Sequence, residues 1–289
     1  MSEQGCKADM GDGAAVVDTC GYPVETTGNA VLDILEHRSS TRAFARDDND
    51  RPVAVTDEQR AAILHAASRA PSAGAMMMYS IVSIREQARL DRLADLCDHQ
   101  PMIAKAPWAL IFVVDYAKWI DLFEHVGCFE PEFVERTGKS PRRAPGLGDF
   151  AIAAQDAVIA AQNAVVAAEA LGLGSCYIGD VIENAEEVAA LLDLPPYTMP
   201  LSMLIIGTPR KERPAIAHPV VNLVHEERYR RADTTTMDAQ VAEMDAMFRP
   251  HAREVGERVV DIYTRKHTSP FMAEMSRSME WWFKNWLGK

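Results

Sequence analysis

The amino-acid sequence predicts an α+β fold arranged as a three-layer α/β/α sandwich. Trp108–Val114 is a near-continuous apolar run, the mark of a strand buried on both faces. Leu201–Ile206 reads as a second buried strand, closed by Gly207 and Pro209. Helix-period stretches are interleaved with these strands, which favours helices packed on a sheet over a bundle.

The elements follow in order. Val31, Ile34 and Leu35 share one face of a helix from about Ala30 to His37. A second helix begins near Thr56, an N-cap with Gln59 as its capping-box partner, and buries Ile63, Leu64 and Ala67. Ser80–Ile84 is a strand, and Leu90, Leu93 and Leu96 mark the helix after it. Tyr116–Gly148 is polar and proline-bearing, and reads as an insertion lying over the core. Asp149–Leu171 gives the strongest helix signal: it is alanine-rich, lacks glycine and proline, and stops at Gly172. Apolar residues surround nearly its whole circumference, so a central buried helix is expected. Ser175–Ile178 is a short strand, Glu183–Leu192 a helix, and Asp238–Trp286 helical.

The composition excludes several function classes. A formal net charge of -12 disfavours a nucleic-acid partner, though a local basic pocket still suits an anionic cofactor. The five cysteines, Cys6, Cys20, Cys97, Cys128 and Cys176, form no CxxC pair and no zinc-ligand spacing. They read as reduced thiols, and no metal site is expected. Residues 1–28 read as a glycine-punctuated flexible extension without a signal-peptide run. No stretch approaches the ~20 apolar residues of a membrane span. A soluble, cytoplasmic protein is expected.

Two basic clusters stand out in this acidic chain. Arg38-Ser39-Ser40-Thr41-Arg42 packs two guanidinium groups and three hydroxyls together, a donor set that fits a phosphate monoester. A solvated helix end is the plainer alternative. Lys211-Glu212-Arg213 follows the second buried strand, at a strand end where ligand groups often sit, and a solvated loop is again the alternative. Both clusters converging on one phosphate is the reading that joins them.

At these residues the sequence resembles the nitroreductase family of FMN enzymes. Arg38, Ser40, Arg42 and Phe44 match its opening Arg-x-Ser-x-Arg/Lys-x-Phe/Tyr motif. Ala70-Pro71-Ser72-Ala73-Gly74 resembles its Ala-Pro-Ser-Ser-Gly loop. The likeness continues through Gln100–Ala106, Gln162–Leu192 and Pro200–Gly207 with Lys211-x-Arg213-Pro214, covering roughly residues 29–231. Residues 232–289 then form a helical extension whose Tyr263–Trp286 segment resembles the larger, NADPH-preferring subgroup.

The resemblance implies an intertwined homodimer with FMN contacted by both chains. It implies that Arg38, Ser39, Ser40, Arg42, Lys211 and Arg213 grip the FMN phosphate. Ser72 and Gly74 would line the flavin, Gln100 would meet its pyrimidine edge, and the backbone at Gly174 and Ser175 would donate toward N5 and O4. A ping-pong cycle is implied: NADPH or NADH gives a hydride to the flavin, and a nitroaromatic, quinone or free flavin then takes it. The sequence departs from the family where Asn-x-Gln-Pro-Trp is usual; it reads Ala75-Met76-Met77-Met78-Tyr79 instead. Met76, Met77 and Tyr79 thereby become candidate walls of the acceptor pocket. Arg230 and Arg231, in the run Arg228–Arg231, are candidates for the extra phosphate of NADPH, or else a solvated helix end. The alternatives are a specialised relative with a narrow substrate, its lid formed by residues 116–148, or a low-turnover flavin store or sensor.

Three further features have plainer readings. Met76–Met78 reads as packing rather than a copper site, because consecutive methionines do not converge. Trp282 and Trp286 share a helix face and are expected to pack the terminal helix on the core or across a dimer. His37, His99 and Cys176 read as structural.

Overall fold

The computed structural model describes residues 28–139, 143–211, 220–248 and 253–288 of the chain. Its elements are α1 (Ala30–His37), α2 (Asp57–Ser68), β1 (Tyr79–Ile84), α3 (Gln87–Leu96), α4 (Pro101–Ala104), β2 (Trp108–Asp115), α5 (Ala117–His125), α6 (Pro131–Thr137), α7 (Leu147–Ala170), β3 (Gly174–Ile178), α8 (Ala185–Leu192), β4 (Thr198–Gly207), α9 (Thr234–Phe248), α10 (Glu257–Ile262) and α11 (Phe271–Trp286). A single 3-10 turn, Asp180–Ile182, joins β3 to α8. The proposed extension of residues 1–28 lies outside the described residues except for Gly28, as do Arg213 and Pro214.

The chain divides into two compact units. One comprises Ser39–Arg213 and Ile262–Lys289. The other takes the described residues up to Arg38 with those from Val220 to Asp261. In this second unit Glu243 of α9 accepts the backbone N–H groups of Val220 and Val221, and Asp245 accepts those of Gly256 and Arg258.

The larger unit is built on an antiparallel sheet of order β1-β2-β4-β3. β2 is buried at every residue, as its unbroken apolar run predicts. Side chains alternate across a strand, so its two faces feed two cores. Ala109, Ile111 and Val113 pack with α3, α4, α8 and Trp282. Trp108, Leu110, Phe112 and Val114 pack with α2, α7 and Trp286. The result is the three-layer sandwich. Pro200 has no N–H to give the ladder, and the β2–β4 register slips beside it; pairing continues at Met199 and Thr198, and the strand spans Thr198–Gly207.

Local signals placed several elements closely. The Thr56 hydroxyl accepts the Gln59 N–H at 3.2 Å, and the Gln59 side chain accepts the Thr56 N–H at 3.0 Å, closing the expected capping box on α2. Ile63 and Ala67 are buried there, while Leu64 is only half-buried. Leu90, Leu93 and Leu96 of α3 are buried. The polar stretch Tyr116–Gly148 contains α5 and α6, and Ile120 of α5 joins the core. Arg228–Arg231 is irregular chain ahead of α9, not a helix end.

The expectation of a wholly buried central helix is corrected. One face of α7, with Ala153, Ala157, Ala160, Ala161, Ala164 and Ala168, packs on α2 and the sheet. The opposite face leaves Ile152, Val158 and Ile159 exposed at 45%, 47% and 39%. A helix apolar all round needs cover on all sides, and the single chain supplies one. The expectation that no stretch approaches a membrane span is corrected too, since α7 is long and apolar enough by length and composition alone.

α11 closes the unit. Trp282 is fully buried, and its indole N–H donates to the Ile182 carbonyl at 2.9 Å. Trp286 is also fully buried and donates to the Gly146 carbonyl at 3.1 Å. Glu274 accepts the Asn184 N–H and the Ser278 hydroxyl, and Ser278 in turn accepts the Ala185 N–H. Beneath this contact lies buried Glu183, whose Oε1 has no hydrogen-bond partner among the described residues. Burial, then the nearby carboxylates of Asp180, Asp98 and Glu274, push its carboxyl up to about 7.

Two outcomes are expected. Trp282→Ala should cost about 3–5 kcal/mol, read as a lower urea midpoint with little change in slope. Glu183 carries a folded-state value above its ordinary 4.5. The stability linked to its proton is therefore complete below that ordinary value and drains away as pH rises toward 7. Glu183→Gln, neutral at every pH, should melt about 3 °C or more above the parent at alkaline pH, with the gain vanishing in acid; melting curves across that range check it.

Candidate functional site

Two glycines decide where the first basic segment lies. Gly174 and Gly207 face each other at the open end of β3 and β4. A Cβ at Gly174 would stand 2.7 Å from the Thr41 Cβ, and one at Gly207 would stand 2.8 Å from the Phe44 ring. Only the missing side chains let Ser39–Ala45 come this close. The Thr41 N–H donates to the Ser175 carbonyl at 2.8 Å. The Ala45 N–H donates to the Thr208 carbonyl at 2.8 Å, and Phe44 pairs with Pro209. The Arg210 N–H donates to the Ala43 carbonyl at 3.0 Å.

That last bond joins the two clusters. Arg42 precedes Ala43, and Lys211 follows Arg210, so a guanidinium and an ammonium leave adjacent points of one backbone pair. Both residues are exposed. Ser39 and Thr41 are buried at the root of the segment and Ser40 is half-buried. Arg38 ends α1, its N–H bonded to the Ile34 carbonyl. The donor set at this sheet end, hydroxyls with a fork-shaped and a point-like cation, suits a phosphate monoester.

Gly174 and Ser175 are buried under Thr41, with the Ser175 carbonyl already bonded. Gly179, at the turn beyond β3, is exposed. Gln100 reaches the same turn, and its amide donates to the Asp180 carboxylate at 2.5 Å. Gln100 thus meets the far end of β3 from Ser175.

The loop Ser72–Met78 is held in an unusual shape. Ala75 and Met77 have φ of 56° and 49°, left-handed values uncommon for residues with a side chain. Such backbone persists only where its surroundings over-determine it, and here several groups do. The Asp156 carboxylate of α7 accepts the Ala73 N–H at 2.9 Å and the Met78 N–H at 3.3 Å. The Trp119 indole of α5 donates to the Met76 carbonyl at 2.9 Å. The Ser72 hydroxyl accepts the Met77 N–H at 3.2 Å. Asp156 and Trp119 escaped the sequence reading, because each lies far along the chain from the loop it holds. An aspartate among the alanines of α7 was the available signal.

Met77 projects to solvent, Met76 packs partly on the core, and Met78 is buried, in keeping with a packing role. Tyr79 is buried, and its hydroxyl donates to the Ala67 carbonyl at 3.1 Å. Burial first, then Asp156, raises the Tyr79 phenol above its ordinary range. Lys118 donates to the Tyr79 carbonyl; burial lowers its ammonium, and Asp115 and Asp156 partly restore it. Arg230 and Arg231 are exposed in the smaller unit. His37 bonds the Asp33 carbonyl within its own helix.

The structure does not bring loop and basic segment together within one chain. From Met199, level with Tyr79, to Ile206, level with Ser175, β4 runs roughly 20 Å at ~3.3 Å per residue. Along α7, the rise from Asp156 to Ala170 gives roughly the same separation at ~1.5 Å per residue. The two candidate halves stand at opposite ends of the sheet.

Comparison with known proteins fits this architecture. The family model described as the Nitroreductase family matches residues 35–208. An NAD(P)H FMN reductase of Bacillus subtilis is 33% identical over 215 residues, covering 73% of this chain and 79% of that one. An oxygen-insensitive NADPH nitroreductase of Salmonella typhimurium is 31% identical over 218 residues, covering 73% and 81%. Among solved structures, nitroreductase A of Vibrio parahaemolyticus shares the fold with a TM-score of 0.70 at 24% identity, over 90% of this chain and 99% of that one. With the sandwich, the paired basic segments and the matched span all in agreement, the chain belongs to the nitroreductase family.

Proposed function

We propose that this chain, an NAD(P)H-dependent flavin oxidoreductase, works as a homodimer that holds FMN between its subunits and reduces small electron-poor acceptors such as nitroaromatics, quinones or free flavins in a ping-pong cycle. The observation that carries the reading is the Ala43–Arg210 backbone bond, which sets Arg42 beside Lys211. FMN, when bound, supplies the hydride chemistry, and the protein's share is binding, orientation and electrostatics. Arg42, Lys211 and the half-buried Ser40 are fitted to hold its phosphate, with Arg38, Ser39 and Arg213 as further candidates by resemblance. Ser72, Gly74, Met76 and Met77 would wall the ring from the other side. Methionine side chains adapt to varied shapes, which suits a pocket taking several flat acceptors. NADPH and NADH remain the two donors to compare, with Arg230 and Arg231 as candidates for the extra phosphate.

The dimer explains two features of the single chain. The candidate halves stand at opposite ends of the sheet, roughly 20 Å apart along β4, and in the dimer one flavin would draw them from different chains. The outward face of α7, with Ile152, Val158 and Ile159, also needs cover and bears no charge at its exposed positions from Ala151 to Ile159. Depletion of charge is what an interface core shows.

The purified protein is expected to be yellow and to bleach anaerobically with NADPH or NADH; a colourless protein that takes up no added FMN would sink the reading. Arg42→Glu with Lys211→Glu should weaken FMN binding roughly 100-fold, measured by fluorescence titration. Ile159→Arg should shift the sedimenting species from dimer to monomer and release flavin with it. A variant that stays dimeric and yellow would place the interface elsewhere.

A further inference from the structure

We propose that Asp156 is a positioning residue for the flavin site: its carboxylate fixes the shape of the loop Ser72–Met78 and thereby sets acceptor binding. The proposal rests on the reading of that loop as a wall of the site.

Asp156 is 2% exposed and sits on the face of α7 otherwise made of small apolar residues. Placing a carboxylate there is costly unless both oxygens find donors. They do, and both donors are backbone N–H groups of one loop, at Ala73 and Met78. These N–H groups bracket three left-handed residues, Gly74, Ala75 and Met77. The carboxylate therefore acts as a clamp across the loop's mouth. With its ends drawn to one point, the intervening backbone must fold tightly, and the Met76 carbonyl turns to the Trp119 indole.

A packing role alone does not account for this arrangement. An alanine at 156 would continue the row of Ala153, Ala157 and Ala160 without any desolvation cost. What the carboxylate adds is a defined loop conformation, with Met77 directed outward beside Ser72 and Gly74. No side chain from Ala73 to Met78 carries a hydrogen-bond donor. Backbone geometry thus carries more of the loop's contact with a bound ring, and the clamp controls that geometry.

The test uses the full-length protein and three variants: Asp156→Ala, Asp156→Asn and Met77→Ala. Asparagine keeps the shape and one acceptor, so it remains informative should the alanine variant fail to fold. Amide hydrogen exchange at Ala73 and Met78 is followed in FMN-free protein. Visible circular dichroism of bound FMN, and KM and kcat for menadione with NADPH, are measured in holoprotein. Asp156→Ala is expected to exchange faster at both amides and Asp156→Asn at the one that loses its acceptor; both variants should alter the flavin dichroism and raise KM, about tenfold for alanine, with a smaller change in kcat. Lower melting temperatures with exchange, dichroism and KM all unchanged would reduce Asp156 to a structural residue and overturn the proposal. Met77→Ala separates this failure from that of the underlying reading. If it leaves dichroism and KM untouched, the loop is not a wall of the site, and both fall together. If it shifts them while the Asp156 variants do not, only the clamp is lost.

Discussion

Every side chain of β2, from Trp108 to Asp115, is withdrawn from water. A strand covered on both faces requires a layer of helices on each, and the rest of the larger unit follows from that demand. α3, α4 and α8 cover one face and α2 and α7 the other. α11 then sends Trp282 into one core and Trp286 into the other. With both faces closed, ligand chemistry is confined to the ends and edges of the sheet. The basic segment and the Ser72–Met78 loop are found there.

The basic end of the sheet is a matter of close approach. Ser39–Ala45 has no helix or strand ladder of its own and borrows order from β3 and the exit of β4. Removing two side chains, at Gly174 and Gly207, brings backbone against backbone and leaves Arg42 and Lys211 to project from neighbouring points. Charge is thereby concentrated locally on a chain whose formal net charge is -12. Electrostatic recognition of a phosphate depends on that local field rather than on the total.

At the other end of the sheet, order comes from long-range hydrogen bonds. The loop before β1 spends conformational energy at Ala75 and Met77 and recovers it through Asp156, Trp119 and Ser72. α7 joins these themes in one element. Its inner face packs as small residues allow, its buried carboxylate holds a loop, and its outer face stays apolar in water.

Local patterns determined much of this protein in advance. The capping box at Thr56, the burial of Trp108–Val114, the alanine-rich course of α7 and the shared face of Trp282 and Trp286 each depend on residues a few positions apart, and each was legible in the sequence. The family motif also drew attention to Arg42 and Lys211 as a pair. Only the tertiary structure decided that their backbones are bonded at Ala43 and Arg210, that Gly174 and Ser175 lie buried under Thr41, and that one face of α7 is left bare. It alone joined Asp156 to a loop some eighty residues earlier in the chain, a separation of |i−j|=83 to Ala73. Periodicity reports which side of an element turns inward. It carries no record of which distant backbone will meet that side, because that choice is made by packing after the elements have formed.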